Sequence, residues 1–192
     1  SLLSSPLEQT NEPYAIAKIA GLKMAENFRR QYNRDFISAM PTYLYGPGDN
    51  YHTENSHVIP GLITRMKKTI LSGSKDFEIW GTGEPLREFL YVDDLANACV
   101  FLMNHQTTLP DWMNVGSGEE ISIENLARLI GKKMGFTGEY YFNTNMPDGP
   151  LRKVMDSSRI RTLGWRPKVS LEEGITRTLQ LFESSPQSLR HL

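Results

Sequence analysis

Glu88-Phe89-Leu90-Tyr91-Val92-Asp93-Asp94 decides the fold, because five residues of strand character run straight into two acidic residues that favour a helix start. The apolar run Ala96-Asn97-Ala98-Cys99-Val100-Phe101-Leu102 then supplies a helix reaching to about Asn104. A strand feeding directly into a helix is the repeating unit of a parallel sheet with covered faces. Asp93 and Asp94 read as helix caps first and site residues a distant second.

The same alternation extends outward in both directions. Upstream, Phe77-Glu78-Ile79-Trp80 reads as a strand ended by Gly81-Thr82-Gly83. Farther back, Glu12-Pro13 opens a helix to Tyr32, with apolar residues at 16, 19, 20, 24 and 28 and a stop at Asn33-Arg34-Asp35, before the strand Phe36-Ile37-Ser38-Ala39-Met40. The stretch 41–56, with Gly46-Pro47-Gly48-Asp49-Asn50, reads as a turn-rich loop, and a helix follows from His57 or Val58 to Leu71. Downstream come a strand at Met113-Asn114-Val115, a helix capped by Ser122 and ending near Met134, and a strand at Tyr140-Tyr141-Phe142. Ser170-Leu171-Glu172-Glu173 is a capping box for a last helix to Ser184. The expected fold is α/β and mainly parallel, with no internal repeat.

With 192 residues, 39% hydrophobic content and a net charge of −1, the chain is long enough for a real core and carries no overall electrostatic attraction for nucleic acid or an anionic membrane. No segment approaches the ~18 apolar residues of a membrane span. Ser1-Leu2-Leu3-Ser4-Ser5-Pro6 lacks the pattern of a signal peptide, so the expected location is the cytoplasm. Cys99 is the one cysteine, expected as a buried small hydrophobe; a lone thiol makes neither an internal disulfide nor a zinc cluster, and no metal is expected. The polar, methionine-free start reads as a loop inside a larger protein.

Tyr14-Ala15-Ile16-Ala17-Lys18 sets a phenol and an ammonium four residues apart on one helix face. A neighbouring ammonium favours a phenolate, which turns a phenol into a workable acid or base. The spacing by itself fits equally a packed tyrosine and a solvated lysine. His57 alone reads as a helix-start histidine, and His52, His105 and His191 keep that kind of ordinary reading. Nowhere does G-x-G-x-x-G follow a strand; Gly81-Thr82-Gly83 lacks the third glycine of a pyrophosphate turn.

Asn11-Glu12-Pro13-Tyr14-Ala15-Ile16-Ala17-Lys18, Pro41-Thr42-Tyr43-Leu44-Tyr45-Gly46-Pro47, Asn55-Ser56-His57-Val58-Ile59-Pro60, Trp80-Gly81-Thr82-Gly83 and Arg87-Glu88-Phe89-Leu90-Tyr91-Val92-Asp93-Asp94 occur in this order. In them the chain resembles the extended short-chain dehydrogenase/reductases and, within these, the GDP-L-fucose synthase family. The match runs from about Glu8 to the last helix, and the asparagine-serine-histidine element is its most specific part.

The resemblance implies a Rossmann-type parallel sheet plus a small substrate lobe. About 1–49 and 91–110 would be nucleotide fold, about 50–90 and 111–156 substrate lobe, and 157–192 a helical end. It implies NADPH as cofactor, 3,5-epimerisation and 4-reduction of GDP-4-keto-6-deoxy-mannose, and a homodimer whose contact includes Ile16, Ile19 and Met24. Tyr14 would be the acid in reduction, Lys18 its partner and a ribose contact, and His57 the epimerisation acid, a role that suits imidazoles because their unperturbed pKa is near ~6.5. Tyr14, Lys18, Pro41, Leu44 and His57 would line the cofactor path. Arg65, Arg87 and Lys153, with Trp80 beside them, would take the GDP end, and Asn50 and Ser56 the sugar.

The family's cysteine base, catalytic serine and cofactor glycine loop have no counterpart here, so the resemblance implies the C-terminal two-thirds of such an enzyme, inactive alone. Ser4 and Ser5 sit in the wrong loop to stand in for that serine. Two other readings stay open: another sugar-nucleotide epimerase or dehydratase, which would need no His57, and a non-catalytic binding lobe.

Overall fold

Alternation along one strand organises the molecule. In β4 (Leu86–Tyr91), successive side chains face opposite ways, so Phe89 and Tyr91 enter one apolar core while Leu90 between them enters a second. The computed structural model describes residues 6–52, 55–105 and 108–184; Ser4, Ser5 and His191 lie outside them.

The larger core forms where three amphipathic helices meet strands. α2 (Val58–Leu71) contributes Ile59, Leu62, Ile63 and Met66; α4 (Ile123–Lys133) contributes Leu126 and Ile130; α6 (Leu171–Ser184) contributes Ile175, Leu179 and Phe182. These positions recur at three- and four-residue spacing, as one helix face requires. β3 (Asp76–Trp80) adds Phe77 and Ile79. The smaller core joins α3 (Val92–Met103), β5 (Trp112–Val115) and α5 (Ser158–Thr162) through Ala98, Leu102, Met113, Val115, Ile160 and the following Trp165.

Strand pairing is mainly parallel, as the helix–strand alternation predicts. β1 (Ser38–Pro41) pairs β5 in parallel with Ser38 opposite Trp112. β2 (Tyr43–Tyr45) pairs β4 with Tyr43 opposite Phe89, and β3 pairs β7 (Glu139–Asn143) with Asp76 opposite Glu139. The first half of β4 takes β6 (Glu120–Ser122), antiparallel, and β8 (Arg152–Lys153), parallel. The result is a Rossmann-type α/β fold whose strands form three small sheets.

α1 (Glu12–Tyr32) carries proline in its first turn and ends at Asn33, in the left-handed region with φ 47°. Ser122 and Ser170 cap as expected, accepting from Asn125 N at 3.1 Å and Glu173 N at 3.2 Å. The Glu173 carboxylate pairs with Arg177 instead of completing the box.

Four expectations need correction. The 41–56 stretch contains β2, because aromatic side chains at 43 and 45 pack against Phe89 and Tyr91. The short β6 and β8 exist through pairing with β4, which local sequence does not announce. Asp94 is no cap: it is 3% exposed, and its carboxylate accepts backbone N–H groups of Lys168 and Val169, both at 3.0 Å, tying the approach to α6 onto α3. Cys99 is only half-buried. No helix among the described residues is long and apolar enough to cross a membrane.

Candidate active site

Ligands of open α/β sheets bind beyond the carboxyl ends of the strands. The segment leaving β2 does this: it turns at Gly46, whose carbonyl accepts Asp49 N at 3.3 Å, and reaches α2 at Val58. Asp49 Oδ1 accepts the Asn50 N–H at 2.8 Å. The Asn50 amide is spent within the loop, donating to Asn55 O at 3.1 Å and accepting His52 N at 3.0 Å. His57 occupies the position before α2 in extended conformation and makes no capping hydrogen bond. Its ring is 75% exposed, with Nδ1 3.8 Å from Asp49 Oδ1. Ser56 lies against the start of α2, its Oγ 2.9 Å from where a Cβ on Gly61 would stand.

Asp49 is the residue that sequence reasoning passed over. Its side chain is 13% exposed, and Oδ2 is buried without a hydrogen-bond partner. The only signal was its place in a glycine-proline turn, where aspartate is common for local reasons.

Tyr14 and Lys18 lie on the exposed side of α1, with Lys18 Nζ 5.4 Å from the centre of the Tyr14 ring. Burial raises the phenols of Tyr45 and Tyr91, and burial, reinforced by the Asp49 charge, pushes Tyr51 up to about 12. Those groups keep their protons at neutral pH. Pro41 ends β1 at the surface, and Leu44 packs on the smaller core beside β4.

The cations form two neighbouring groups. Arg65 lies 4.3 Å over the Trp80 ring and 5.5 Å from the Phe77 ring, and donates to Glu78 O at 3.2 Å. Burial lowers the affinity of its guanidinium for the proton, opposed by the Glu78 charge. The Trp80 indole donates to Glu78 Oε2 at 2.8 Å, and Asn143 holds the other oxygen at 2.8 Å, which fixes the platform. Arg87 is 6% exposed and donates through Nη1 to Leu86 O and Pro150 O at 2.8 and 2.7 Å. Lys153 stands opposite Arg87 in the β4–β8 register, its Nζ 4.9 Å over the Tyr43 ring.

One latch holds both groups. Asp148 accepts Thr82 N at 3.0 Å and the Thr82 hydroxyl at 2.7 Å, tying the turn after Trp80 to the segment that supplies Pro150 and Lys153. Gly81 permits it: at φ +73°, a Cβ there would meet Asp148 Oδ1 at 2.0 Å. Behind β4, buried Glu88 accepts Gly118 N at 2.6 Å and Met155 N at 2.9 Å, anchoring the same segment from the other face. Arg152 pairs with Glu120, which holds that carboxyl below its usual range. Neither Asp148 nor Glu88 carried a local sequence signal for this work.

Tyr14 and Lys18 on an exposed helix face, His57 beyond the carboxyl end of β2 and basic side chains on a braced platform are thus carried on a Rossmann-type α/β fold. The chain belongs to the NAD dependent epimerase/dehydratase family, which matches residues 1–116.

Its relatives narrow the likeness. It is 54% identical over 182 residues to "Probable GDP-L-fucose synthase 1" of Oryza sativa subsp. japonica, covering 95% of this chain and 55% of the relative. It is 45% identical over 197 residues to the GDP-L-fucose synthase of Escherichia coli K12, covering 98% and 61%. Among solved structures, a GDP-L-fucose synthetase from Naegleria fowleri bound to NADP matches with a TM-score of 0.85 and 29% identity, over 95% of this chain and 60% of that one. The chain thus spans a little over half the length of these relatives.

Proposed function

We propose that this protein acts as a GDP-L-fucose synthase, converting GDP-4-keto-6-deoxy-D-mannose to GDP-L-fucose by 3,5-epimerisation and NADPH-dependent 4-reduction. The observation that carries the reading is identity of 45–54% over at least 95% of this chain to proteins bearing that name. The residues fit the cofactor: Tyr14 and Lys18 share an exposed helix face, next to which the family places a nicotinamide ribose. When bound, NADPH supplies the hydride for C4.

Tyr14 then gives its proton to the C4 oxygen, with the Lys18 ammonium one turn away as its electrostatic partner. His57, exposed beyond the end of β2, returns a proton to the sugar carbon during epimerisation. Arg65, Arg87 and Lys153 oppose the diphosphate charge, Trp80 bounds that end, and Asn50 and Ser56 shape the loop facing the sugar. Pro41 and Leu44 form the floor of the cofactor path. A nucleotide lobe of about 1–49 and 91–110 and a substrate lobe of about 50–90 and 111–156 interleave along the chain. Exposed Ile16 and Met24 on α1 suit a homodimer contact.

The test is NADPH oxidation with GDP-4-keto-6-deoxy-mannose by the full-length protein, with product analysis. Tyr14→Phe is expected to lower turnover by roughly 10²- to 10⁴-fold, and His57→Gln to abolish epimerised product. Turnover unaffected by both substitutions would reject the reading.

A further inference from the structure

We infer that Asp49 is a positioning residue for His57, holding the imidazole by Nδ1 so that Nε2 faces the sugar; the inference rests on His57 being the epimerisation acid. Three observations meet here. Asp49 Oδ1 is 3.8 Å from His57 Nδ1, a separation typical of catalytic pairs before substrate draws them into a hydrogen bond. The carboxylate is fixed independently of His57, since the Asn50 N–H binds Oδ1 and the Gly46 carbonyl holds the Asp49 backbone. Oδ2 is buried with no hydrogen-bond donor, so this carboxylate is short of partners, and the His57 imidazole stands 3.8 Å from its other oxygen.

A histidine leaves its ring free to rotate when nothing holds one nitrogen, and then either nitrogen can face a ligand. An Nδ1–H donated to Asp49 removes that freedom and sets which tautomer the neutral ring adopts. In the proton transfer, the Nε2–H bond breaks as a C–H bond forms at the carbanion carbon. The neutral ring keeps its Nδ1 proton on Asp49, and while the ring carries both protons the carboxylate is its counter-charge. Tyr51 and Thr64 brace this corner, the Thr64 hydroxyl donating to Tyr51 O at 3.2 Å and the Tyr51 ring lying 4.9 Å from Phe182.

Long-range ¹H–¹⁵N NMR on this chain, above the titration of its imidazoles, reads the tautomer directly; loss of one signal in His57→Gln assigns it. The expected result is Nδ1–H for His57, reverting to Nε2–H in Asp49→Ala. An Nε2–H ring in the unsubstituted protein overturns the inference without requiring any variant to fold. In the full-length protein, Asp49→Asn is expected to lower kcat roughly tenfold, leave KM for the GDP-sugar unchanged, and divert product toward reduced sugar that was never epimerised. Unchanged kcat in Asp49→Asn, with His57→Gln inactive in epimerisation, rejects the positioning role alone. Normal epimerisation by His57→Gln rejects the functional reading of His57 on which the inference rests.

Discussion

α1 and the β4 region sit at opposite extremes. α1 buries only Leu22 and Glu26 of its 21 residues and leaves Tyr14, Ile16, Met24, Phe28 and Tyr32 largely exposed. β4 is buried along five of its six residues, pairs with three strands and feeds both cores. Tyr14 and Lys18 lie on the first, Arg87, Lys153 and Arg65 on and around the second. Arg87, Lys153 and Arg65 are braced by carbonyls, ring faces and the Asp148 latch, as the proposed contact to a diphosphate would require. Tyr14 and Lys18 need only their spacing on a helix, so local sequence suffices for them.

The largest effect should come from Glu88→Ala, which removes the buried carboxylate that accepts the N–H groups of Gly118 and Met155 and leaves a void behind β4. A loss of about 3–5 kcal/mol in chemical denaturation is expected. A smaller value would mean that β4 is less central than its burial suggests.

Acid should act on α1 through Glu26. A hydrogen bond from Lys23, with the charges of Lys23 and Arg30, holds the Glu26 carboxyl below its ordinary range. Its contribution is therefore complete above the unfolded value near ~4.3 and fades as pH falls through the lower folded value. Amide exchange in α1 should accelerate over that window in the unsubstituted chain and not in Glu26→Gln. Smallest of all, Ile16→Ala should change stability by less than about 0.5 kcal/mol. A larger loss at higher protein concentration would show that this face is covered by a second copy.

The same contrast explains what could be read in advance. Apart from α5, which went unread, the helices were legible almost to the residue, because Pro13, Asn33, Ser122 and Ser170 are local stop and start signals acting within one turn. β2, β6 and β8 span two to three residues each, too short for alternation to register, and owe their existence to a partner strand far away in sequence. Asp94 looked like a cap because caps are what acidic residues after a strand commonly do; its actual partners are more than 70 residues away. In the candidate site, motif residues such as His57 and Arg87 stood out, whereas Glu78 and Asp148 are joined to Asn143 and Thr82 far away in sequence, contacts that no local pattern encodes.

Because Phe89 and Tyr91 belong to one core and Leu90 to the other, neither core can melt without stripping a neighbour from the same strand. Two hydrophobic centres joined this way form a single cooperative unit, and the β4 amides should exchange only through global opening, with one transition by every probe.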